Sequence, residues 1–328
     1  MLRISLPSGS FPSGTSHAGD ASLAGDAFQA GAEAGITSQA DMLAAEEPLE
    51  IRIGGEPLTV TMRTPGDDID LAAGFLVSEG IVRSAADIIQ IRICGNGHTG
   101  HDDHETAQNV ADVSLSPGRA GRAVLRRSFL TSSACGVCGK TTIGELVVRS
   151  SYDLSADQTA VAPATLARMP SLLRDAQRVF SQTGGLHAAG LFTSSGELLA
   201  LREDVGRHNA VDKVVGWALR EELLPLTGHI LLVSGRASFE LTQKCLLAGI
   251  PMLAAVSAPS SLAAELAQES GMTLIGFLRG GSMNVYAGEG RLPAQSGPAV
   301  PATGRRAPRR APLPGPGRGA SAGRPRQG

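Results

Sequence analysis

The sequence predicts an α/β protein, with a small α+β domain in residues 47–150 followed by a three-layer α/β domain in residues 151–290. In the first range, segments of alternating apolar and polar residues are typical of half-buried strands. In the second range, short apolar runs alternate with amphipathic segments, a pattern that favours a parallel sheet covered by helices. Apolar residues make up 42% of the 328 residues, which is enough for a buried core.

The first domain is predicted to start with a β-hairpin. The segments LEIRI and PLTVTMR alternate apolar and polar residues on either side of Gly54 and Gly55, and paired glycines suit a tight turn. Thr64 and Pro65 then mark a helix start, DIDLAAGFLVSEG forms the helix, and Gly80 ends it. IIQIRIC and VADVSLS are predicted as two further strands of a mostly antiparallel sheet.

The second domain is predicted to be built around a parallel sheet. ATLARMPSLLRDAQRVFSQ and VDKVVGWALREEL have the period of amphipathic helices, and HAAGLF and ELLALRE flank a turn at Ser195 and Gly196. Two helical segments, SFELTQKCLLAG and SLAAELAQESG, then separate the apolar runs HILLVS, PMLAAVS and MTLIGF. This alternation of strand and helix implies right-handed crossovers between parallel strands.

Both ends of the chain differ from this pattern. Residues 1–46 are predicted to form a disordered acidic tail, and residues 291–328 a disordered tail rich in arginine, proline and glycine. Neither segment has enough apolar residues to offset the entropy lost when a chain is ordered. No aromatic residues lie between the C-terminal arginines, so that tail is interpreted as solvated rather than as a nucleic-acid site.

The composition argues against several classes of function. A formal net charge of -2 gives no general attraction to nucleic acids or membrane surfaces. No apolar stretch approaches the length of a transmembrane helix, and the N-terminus MLRISLPSGS lacks the apolar run of a secretory signal. We therefore expect a cytoplasmic protein whose partners are neither nucleic acids nor membranes.

A ligand site is expected where the strands of the second domain end. Ligands collect at the carboxyl ends of strands in open α/β sheets, because N–H groups at helix starts meet anionic groups there. The segments that follow the predicted strands place Arg207, His208, Arg236, Ser260 and Arg279 at one edge. This set favours a large anionic ligand such as a nucleotide diphosphate. The string GNGHTG at residues 95–100 has the GxGxxG spacing, but a predicted strand and not a helix follows it, so it does not support a Rossmann site, and no GxxxxGK[ST] string marks a P-loop.

The stretch SSACGVCGK contains two of the four cysteines, Cys135 and Cys138. A structural disulfide is disfavoured because cytoplasmic thiols are kept reduced. A zinc site needs about four ligands, and Cys94 and Cys245 form no second CxxC. A thioredoxin-type redox pair is disfavoured because glycine follows each cysteine and the residues after them begin a helix poorly.

A thiolate that attacks or carries sulfur fits the same stretch better. A glycine after each cysteine gives the loop freedom to swing, and Arg126, Arg127 and Lys140 could stabilise a thiolate electrostatically. A mobile loop of this kind suits a group that passes between two partners. The zinc and redox interpretations remain open at this point.

Three histidines, His98, His101 and His104, repeat at every third residue between the last two strands of the first domain. Such a cluster can bind a divalent metal. The glycines and polar residues around it are more typical of a mobile surface insertion. We therefore expect no metal site in this segment.

Several long strings between about residues 47 and 287 carry a family likeness. They include RRSFLTSSACGVCGK, REDVGRHNAVDKVVG, LLVSGRASFEL, AAVSAPSSLAAELA and IGFLRGGSMNVY. In this order, the strings resemble the formate dehydrogenase accessory sulfurtransferase family, FdhD. Several strings in order make this signal far more specific than one CxxC.

The resemblance implies a sulfur carrier in the maturation of a molybdenum or tungsten cofactor. Family members receive sulfur from a cysteine desulfurase as a persulfide and pass it to the bis(molybdopterin guanine dinucleotide) cofactor of formate dehydrogenase. By motif, Cys135 bears the persulfide and Cys138 supports the transfer. The family's cofactor-binding stretch corresponds to Phe277, Leu278, Arg279, Gly280, Gly281 and Ser282, with serine at the last position where the family more often has arginine. Arg207, His208 and Arg236 become further candidates to bind the cofactor's phosphates.

The family's second domain is similar to the cytidine deaminase fold, which suggests zinc-dependent deamination as a rival activity. Zinc deaminases need an HxE string followed by PCxxC. Here two alanines follow His187, and no PCxxC string is present. The resemblance therefore implies this fold without its zinc.

Two other functions remain open. The protein could be a cofactor-binding chaperone whose cysteines are dispensable, or a thiol oxidoreductase that cycles Cys135 and Cys138 through a disulfide. A homodimer is an open expectation, because α/β domains of this kind often form dimers.

Overall fold

The computed structural model describes residues 41–95, 109–117 and 150–293, together with two short strands near the N-terminus. These strands, β1 (Leu2–Ser5) and β2 (Gly35–Ser38), pair antiparallel within the segment that was predicted to lack regular structure. All of these residues belong to one compact unit, Met1–Pro293. The histidine segment, the cysteine stretch and the C-terminal tail beyond residue 293 lie outside the described residues.

A four-stranded sheet forms the N-terminal part of this unit, in the order β4-β3-β6-β5. Its outer pairs are antiparallel and its central pair, β3 with β6, is parallel. The predicted hairpin is confirmed, because Gly54 and Gly55 form its turn with φ values of 57° and 84°. The strands are β3 (Glu47–Ile53), β4 (Glu56–Arg63), β5 (Ile88–Cys94) and β6 (Val110–Leu115).

A six-stranded sheet forms the C-terminal part, in the order β12-β11-β10-β9-β7-β8. The predicted parallel strands are confirmed, since β9, β10 and β11 run parallel to one another. Strand β12 pairs with β11 through a glycine turn and was not predicted. The strands are β7 (His187–Thr193), β8 (Leu198–Asp204), β9 (His229–Val233), β10 (Met252–Ala255), β11 (Thr273–Arg279) and β12 (Ser282–Ala287).

Helices cover both faces of the six-stranded sheet, which confirms the predicted α/β class and its three layers. One face packs against Leu166, Met169 and Leu173 of the helix Pro163–Ala176. The other face packs against the three helices that follow β8, β9 and β10. The helices of the described residues are α1 (Asp68–Ser78), α2 (Pro163–Ala176), α3 (Arg178–Thr183), α4 (Arg207–Arg220), α5 (Phe239–Ala248) and α6 (Ser261–Glu269).

Helix α1 joins the two sheets into one core. Its buried residues pack against Leu49 and Ile51 of the small sheet and against Val211 and Val215 of α4. A single apolar cluster therefore runs from the small sheet through α1 and α4 to the large sheet.

The single helix predicted for ATLARMPSLLRDAQRVFSQ is two helices, α2 and α3, with Gln177 extended between them. The carboxylate of Glu203 in β8 accepts hydrogen bonds from the backbone N–H groups of Val179 and Phe180, at 3.0 and 2.8 Å. The start of α3 is thus capped by a residue from the neighbouring sheet. The prediction of one helix was wrong because this acceptor is remote in sequence.

We find no helix in the described part of the chain with the length and apolar character needed to cross a membrane.

Candidate functional site

The carboxyl ends of β8, β9, β10 and β11 lie at one edge of the large sheet, as the sequence predicts. Both β8 and β9 run antiparallel to β7, so β8 shares the direction of the three parallel strands. Beyond the strand ends, the loops stay paired, because Ser257 N–H donates to Gly235 O and Phe277 N–H donates to Ser257 O. The loops therefore form a continuous rim, which we call the strand-end rim: residues 204–208, 234–240, 256–260 and 277–279.

His187 and Arg207 approach each other across Gly235 in this rim. A Cβ placed on Gly235 would lie 3.3 Å from His187 Nδ1 and 3.8 Å from Arg207 Cδ. The glycine thus leaves room for both side chains to line the same space. Arg207 Nε is buried and makes no hydrogen bond to any residue that the structure describes. An unused guanidinium donor at this place suits an anionic ligand.

His187 is held in its neutral form. Burial lowers the pKa of His187 below its usual value, and electrostatic interactions with Arg207 and His208 lower it further, against a smaller opposing effect of Asp204. The ring therefore offers one donor and one acceptor nitrogen near pH 7.

His208 lies at the start of α4 and faces the start of α5. Its Nε2 is 3.8 Å from Glu240 Oε2 and 3.5 Å from Ser238 Oγ. Burial alone would raise the pKa of Glu240, but hydrogen bonds from His208 and Ser238 outweigh it and lower the pKa to about 2. Glu240 is therefore ionised at neutral pH and orients the imidazole of His208.

A buried ion pair holds the loop that carries Arg207 and His208. Asp204 and Lys213 are 0% and 1% exposed, and Lys213 Nζ lies 2.8 Å from Asp204 Oδ2. Asp204 Oδ1 also accepts hydrogen bonds from Gly206 N–H and Asn209 Nδ2, at 2.8 and 3.1 Å. The loop thus has a fixed path before any ligand binds.

The same ion pair reaches the N-terminal sheet. Thr64 N–H donates to Asp204 Oδ2 at 3.2 Å, and Lys213 Nζ donates to Thr64 O at 2.8 Å. Asn209 Nδ2 donates to Met62 O at 2.7 Å. Sequence reasoning missed Asp204 and Lys213, because REDVGRHNAVDK contains six charged residues and nothing in the pattern marks these two as the buried pair.

The remaining site residues predicted from sequence are spread along the rim. Arg236 is exposed after β9, and Ser260 caps α6 by accepting a hydrogen bond from Ala263 N–H. Arg279 is exposed at the end of β11, with its guanidinium carbon 5.7 Å from the centre of the Phe277 ring. Strands β8 and β11 are four positions apart, so about 19 Å separates their backbones at the usual strand spacing.

The FLRGGS stretch is the tip of the β11–β12 hairpin. Leu278 is 0% exposed and belongs to the core under α2, while Phe277 has a φ of 52° that turns the chain at this point. Gly280 and Gly281 form the turn with positive φ, and Ser282 Oγ donates to Arg279 O. The structure thus presents Phe277 and Arg279 at the rim and buries Leu278.

The two cysteines that the structure describes outside the CxxC stretch are free. Cys94 is exposed, and Cys245 is fully buried on α5, where burial raises the pKa of its thiol. Within the described residues, no group of three or more His, Cys, Asp or Glu side chains is arranged to hold a metal ion. Cys135 and Cys138 lie outside these residues, as do His98, His101 and His104.

Comparison with known proteins decides the family. Residues 44–293 match the family model described as the FdhD/NarQ family. The chain belongs to this family. The match covers the four-stranded sheet, the six-stranded sheet and the whole strand-end rim, and it confirms the resemblance that the sequence strings indicate.

Relatives within the family are similar over most of their length. The chain is 54% identical over 258 residues to the sulfur carrier protein FdhD of Mycobacterium tuberculosis, covering 78% of this chain and 94% of that protein. It is 56% identical over 260 residues to the sulfur carrier protein FdhD of Nocardia farcinica, covering 79% and 91%. A crystal structure from Desulfotalea psychrophila, named as a formate dehydrogenase accessory protein, superimposes with a TM-score of 0.61 at 25% identity and covers 79% of this chain and 94% of that one.

Proposed function

We propose that this protein is a sulfur carrier for formate dehydrogenase that bears a persulfide on Cys135 and passes the sulfur to a molybdenum or tungsten bis(molybdopterin guanine dinucleotide) cofactor. The observation that carries the proposal is the identity of more than half over most of the chain to proteins named sulfur carrier protein FdhD. The structural likeness to a protein named as a formate dehydrogenase accessory protein supports formate dehydrogenase as the enzyme that this carrier serves. In the cytoplasm, where we expect the protein, reducing conditions keep the acceptor thiol available.

The loading step needs no oxidant. The Cys135 thiolate attacks the terminal sulfur of a persulfide on a cysteine desulfurase, a new S–S bond forms on Cys135, and the desulfurase leaves as a thiolate. Release breaks the same S–S bond and Cys135 leaves as a thiolate; because the outer sulfur is two electrons more oxidised than sulfide, its delivery as sulfide requires a two-electron reductant, such as a dithiol or the reduced cofactor. Cys138, three residues away, is proposed to support the transfer by shielding or resolving the persulfide.

The strand-end rim is proposed to bind the cofactor. A dinucleotide cofactor is long and carries phosphates, and the rim offers basic side chains over about 19 Å. Arg207, with its unused Nε, and His208 stand at one end, Arg236 lies between, and Arg279 stands at the other. The FLRGGS hairpin is proposed to contribute Phe277, Arg279, Gly280, Gly281 and Ser282 at that end, with Leu278 as its buried anchor.

A chaperone without sulfur chemistry is the second candidate, because the described rim contains no cysteine that could react: Cys245 is buried and Cys94 lies on the small sheet. A rim of this kind could bind and deliver a cofactor by itself. The two functions differ in what they require of Cys135.

Formate dehydrogenase activity in cells that lack their own carrier separates the candidates. We expect the full chain to restore activity and the Cys135→Ala variant to fail, with Cys94→Ala as the control that removes an exposed cysteine outside the proposed chemistry. Full restoration by Cys135→Ala would establish the chaperone instead. A disulfide-cycling oxidoreductase would turn over a thiol substrate and lose all turnover in Cys138→Ala.

A further inference from the structure

A cavity of about 510 Å³ lies beside the strand-end rim, between α2, α3 and the start of β7. Its walls are mainly apolar, and Leu173, Leu186 and Val256 are among the residues that line them. Gly184 and Gly185 also line the cavity and are exposed, so it opens to solvent beside these two glycines. Apolar walls that are open to water are unfavourable, so a group that covers them would stabilise the protein.

Gln177 lines the same cavity and has an unused hydrogen-bond donor. The residue is 4% exposed, and its Nε2 has no hydrogen-bond partner among the residues that the structure describes. A buried donor without a partner is unfavourable. The group that covers the cavity is therefore expected to bring a hydrogen-bond acceptor as well as apolar atoms.

The segment that leads into the first strand of the small sheet passes this opening. Residues 41–46 contain no helix, turn or bend before β3 begins at Glu47, so they form a nearly straight stretch of chain. Ala44 lies against the exposed glycines, because a Cβ placed on Gly185 would be 3.6 Å from Ala44 Cβ, which is van der Waals contact. The side chain of Ala44 therefore faces the edge of the opening.

Met42 is on the same side of this segment as Ala44, because side chains two residues apart in a nearly straight chain point the same way. Met42 is 56% exposed, and Leu43, which points to the opposite side, is 84% exposed. A large apolar side chain thus lies two residues from the contact at the opening of an apolar cavity. The unbranched side chain of methionine fits irregular apolar spaces well.

We propose that residues 41–44 form a strap, and that Met42 enters the cavity and closes it until a ligand displaces the side chain. In the closed arrangement, the thioether packs against the apolar walls, and a backbone carbonyl of the strap accepts a hydrogen bond from Gln177 Nε2. The exposed methionine and the open walls both lose contact with water, so the hydrophobic effect favours closing. The structure shows the open arrangement, in which Met42 is exposed.

The strap acts as an autoinhibitory contact next to the strand-end rim. His187 and Ser234 line the cavity, and Ser234 also belongs to the rim, so the two spaces are continuous. A ligand that extends from the rim into the cavity must displace Met42, whereas a ligand confined to the rim need not. The residues matched by the family model begin at 44, so Met42 precedes them. The inference holds whatever group the rim binds, and its failure would leave the proposed function unaffected.

Methyl NMR spectroscopy of the full chain, labelled at methionine, leucine and valine methyl groups, tests the strap directly. We expect nuclear Overhauser contacts between the Met42 methyl group and the methyl groups of Leu173, Leu186 and Val256. The Leu43 methyl groups should show none of these contacts, because they point to the other side of the segment. Absence of every Met42 contact, with the signals of the three cavity residues observed, would overturn the proposal.

Fluorescence titration with anilinonaphthalene sulfonate, a dye that brightens in apolar sites, tests whether the strap closes the cavity. We expect the dye to bind Met42→Ala about tenfold more tightly than the wild type, which corresponds to a strap that is closed about nine-tenths of the time. Leu43→Ala is the matched control, because it removes the neighbouring and more exposed apolar side chain and should leave the affinity for the dye unchanged. Both residues are exposed, so neither variant is expected to impair folding.

Two results of the titration would overturn the proposal. Equal affinity for the dye in the wild type and Met42→Ala would show that Met42 does not cover the cavity. An equal gain in Met42→Ala and Leu43→Ala would show that the segment excludes the dye without a specific methionine contact. Neither the titration nor the NMR measurement involves Cys135, so both outcomes leave the sulfur-carrier proposal to its own test.

Discussion

Gly74 of α1 and Gly216 of α4 face each other where the two helices cross. A Cβ on Gly74 would lie 1.8 Å from Asp212 O, and a Cβ on Gly216 would lie 1.8 Å from Asp70 O. No side chain fits in either place, so the helix backbones are in direct contact. This contact joins the small sheet to the helix that begins with Arg207 and His208.

Gly216→Ala is expected to destabilise the protein by at least about 2 kcal/mol, because the added methyl group meets backbone atoms that cannot turn away. Urea unfolding followed by circular dichroism measures the change in the free energy of unfolding. Gly290→Ala is the control, since a Cβ there meets nothing within 4 Å and the change should be small. Equal unfolding midpoints for Gly216→Ala and wild type would contradict the close helix crossing.

Asp204→Ala is expected to cost about 3–5 kcal/mol, because it leaves the ammonium of Lys213 buried without its partner. The same variant should weaken binding of pyrophosphate, since the loop with Arg207 loses its anchor. Arg92→Ala is the comparison, because it breaks a pair with Asp112 in which Arg92 is 59% exposed. Such exposed pairs contribute under about 1 kcal/mol. Similar losses in both variants would show that Asp204 and Lys213 are not a buried pair.

Glu203→Ala is expected to loosen the start of α3, where its carboxylate accepts two backbone hydrogen bonds. Loss of a helix cap costs about 1 kcal/mol. Hydrogen exchange at the amides of Val179 and Phe180 should become faster, because these donors lose their acceptor. Glu197→Ala removes an exposed carboxylate in the same hairpin and should leave the exchange of both amides as it is in the wild type. Unchanged exchange in Glu203→Ala would contradict the capping.

The stability of the protein is expected to fall in acid partly through Glu240. Its pKa is lowered from 4.5 to about 2 in the folded state, so the unfolded chain takes up a proton first as the pH decreases. The stabilisation from this carboxylate is present above pH 4.5 and is lost as the pH falls towards 2. Glu240→Gln should lose less stability between pH 6 and pH 3 than the wild type does, measured by urea unfolding at both values. An identical loss in both proteins would contradict the shift.

Local patterns in the sequence predicted most of the fold. The β3–β4 hairpin and the parallel strands β9 to β11 follow from alternation, glycine turns and short apolar runs, which depend on neighbouring residues alone. The edge that carries Arg207 and His208 was also predictable, because strand direction fixes where parallel strands end. Strand β12 was missed because only Ala287 of its six residues is buried and its pattern resembles a loop.

Long-range contacts account for what the sequence did not predict. The break at Gln177 depends on Glu203, which is 24 residues from Val179 along the chain, and helical periodicity carries no information about such a partner. The pairing of Asp204 with Lys213 and Thr64 likewise depends on how α4 packs against the small sheet.

Mass spectrometry of the peptide that contains Cys135 tests the sulfur-carrier proposal most directly. After incubation with a cysteine desulfurase and cysteine, we predict a gain of about 32 Da, one sulfur atom, on Cys135. The gain should persist in Cys138→Ala and be absent in Cys135→Ala. An unchanged mass at Cys135, under conditions that load a control acceptor protein, would contradict the proposal.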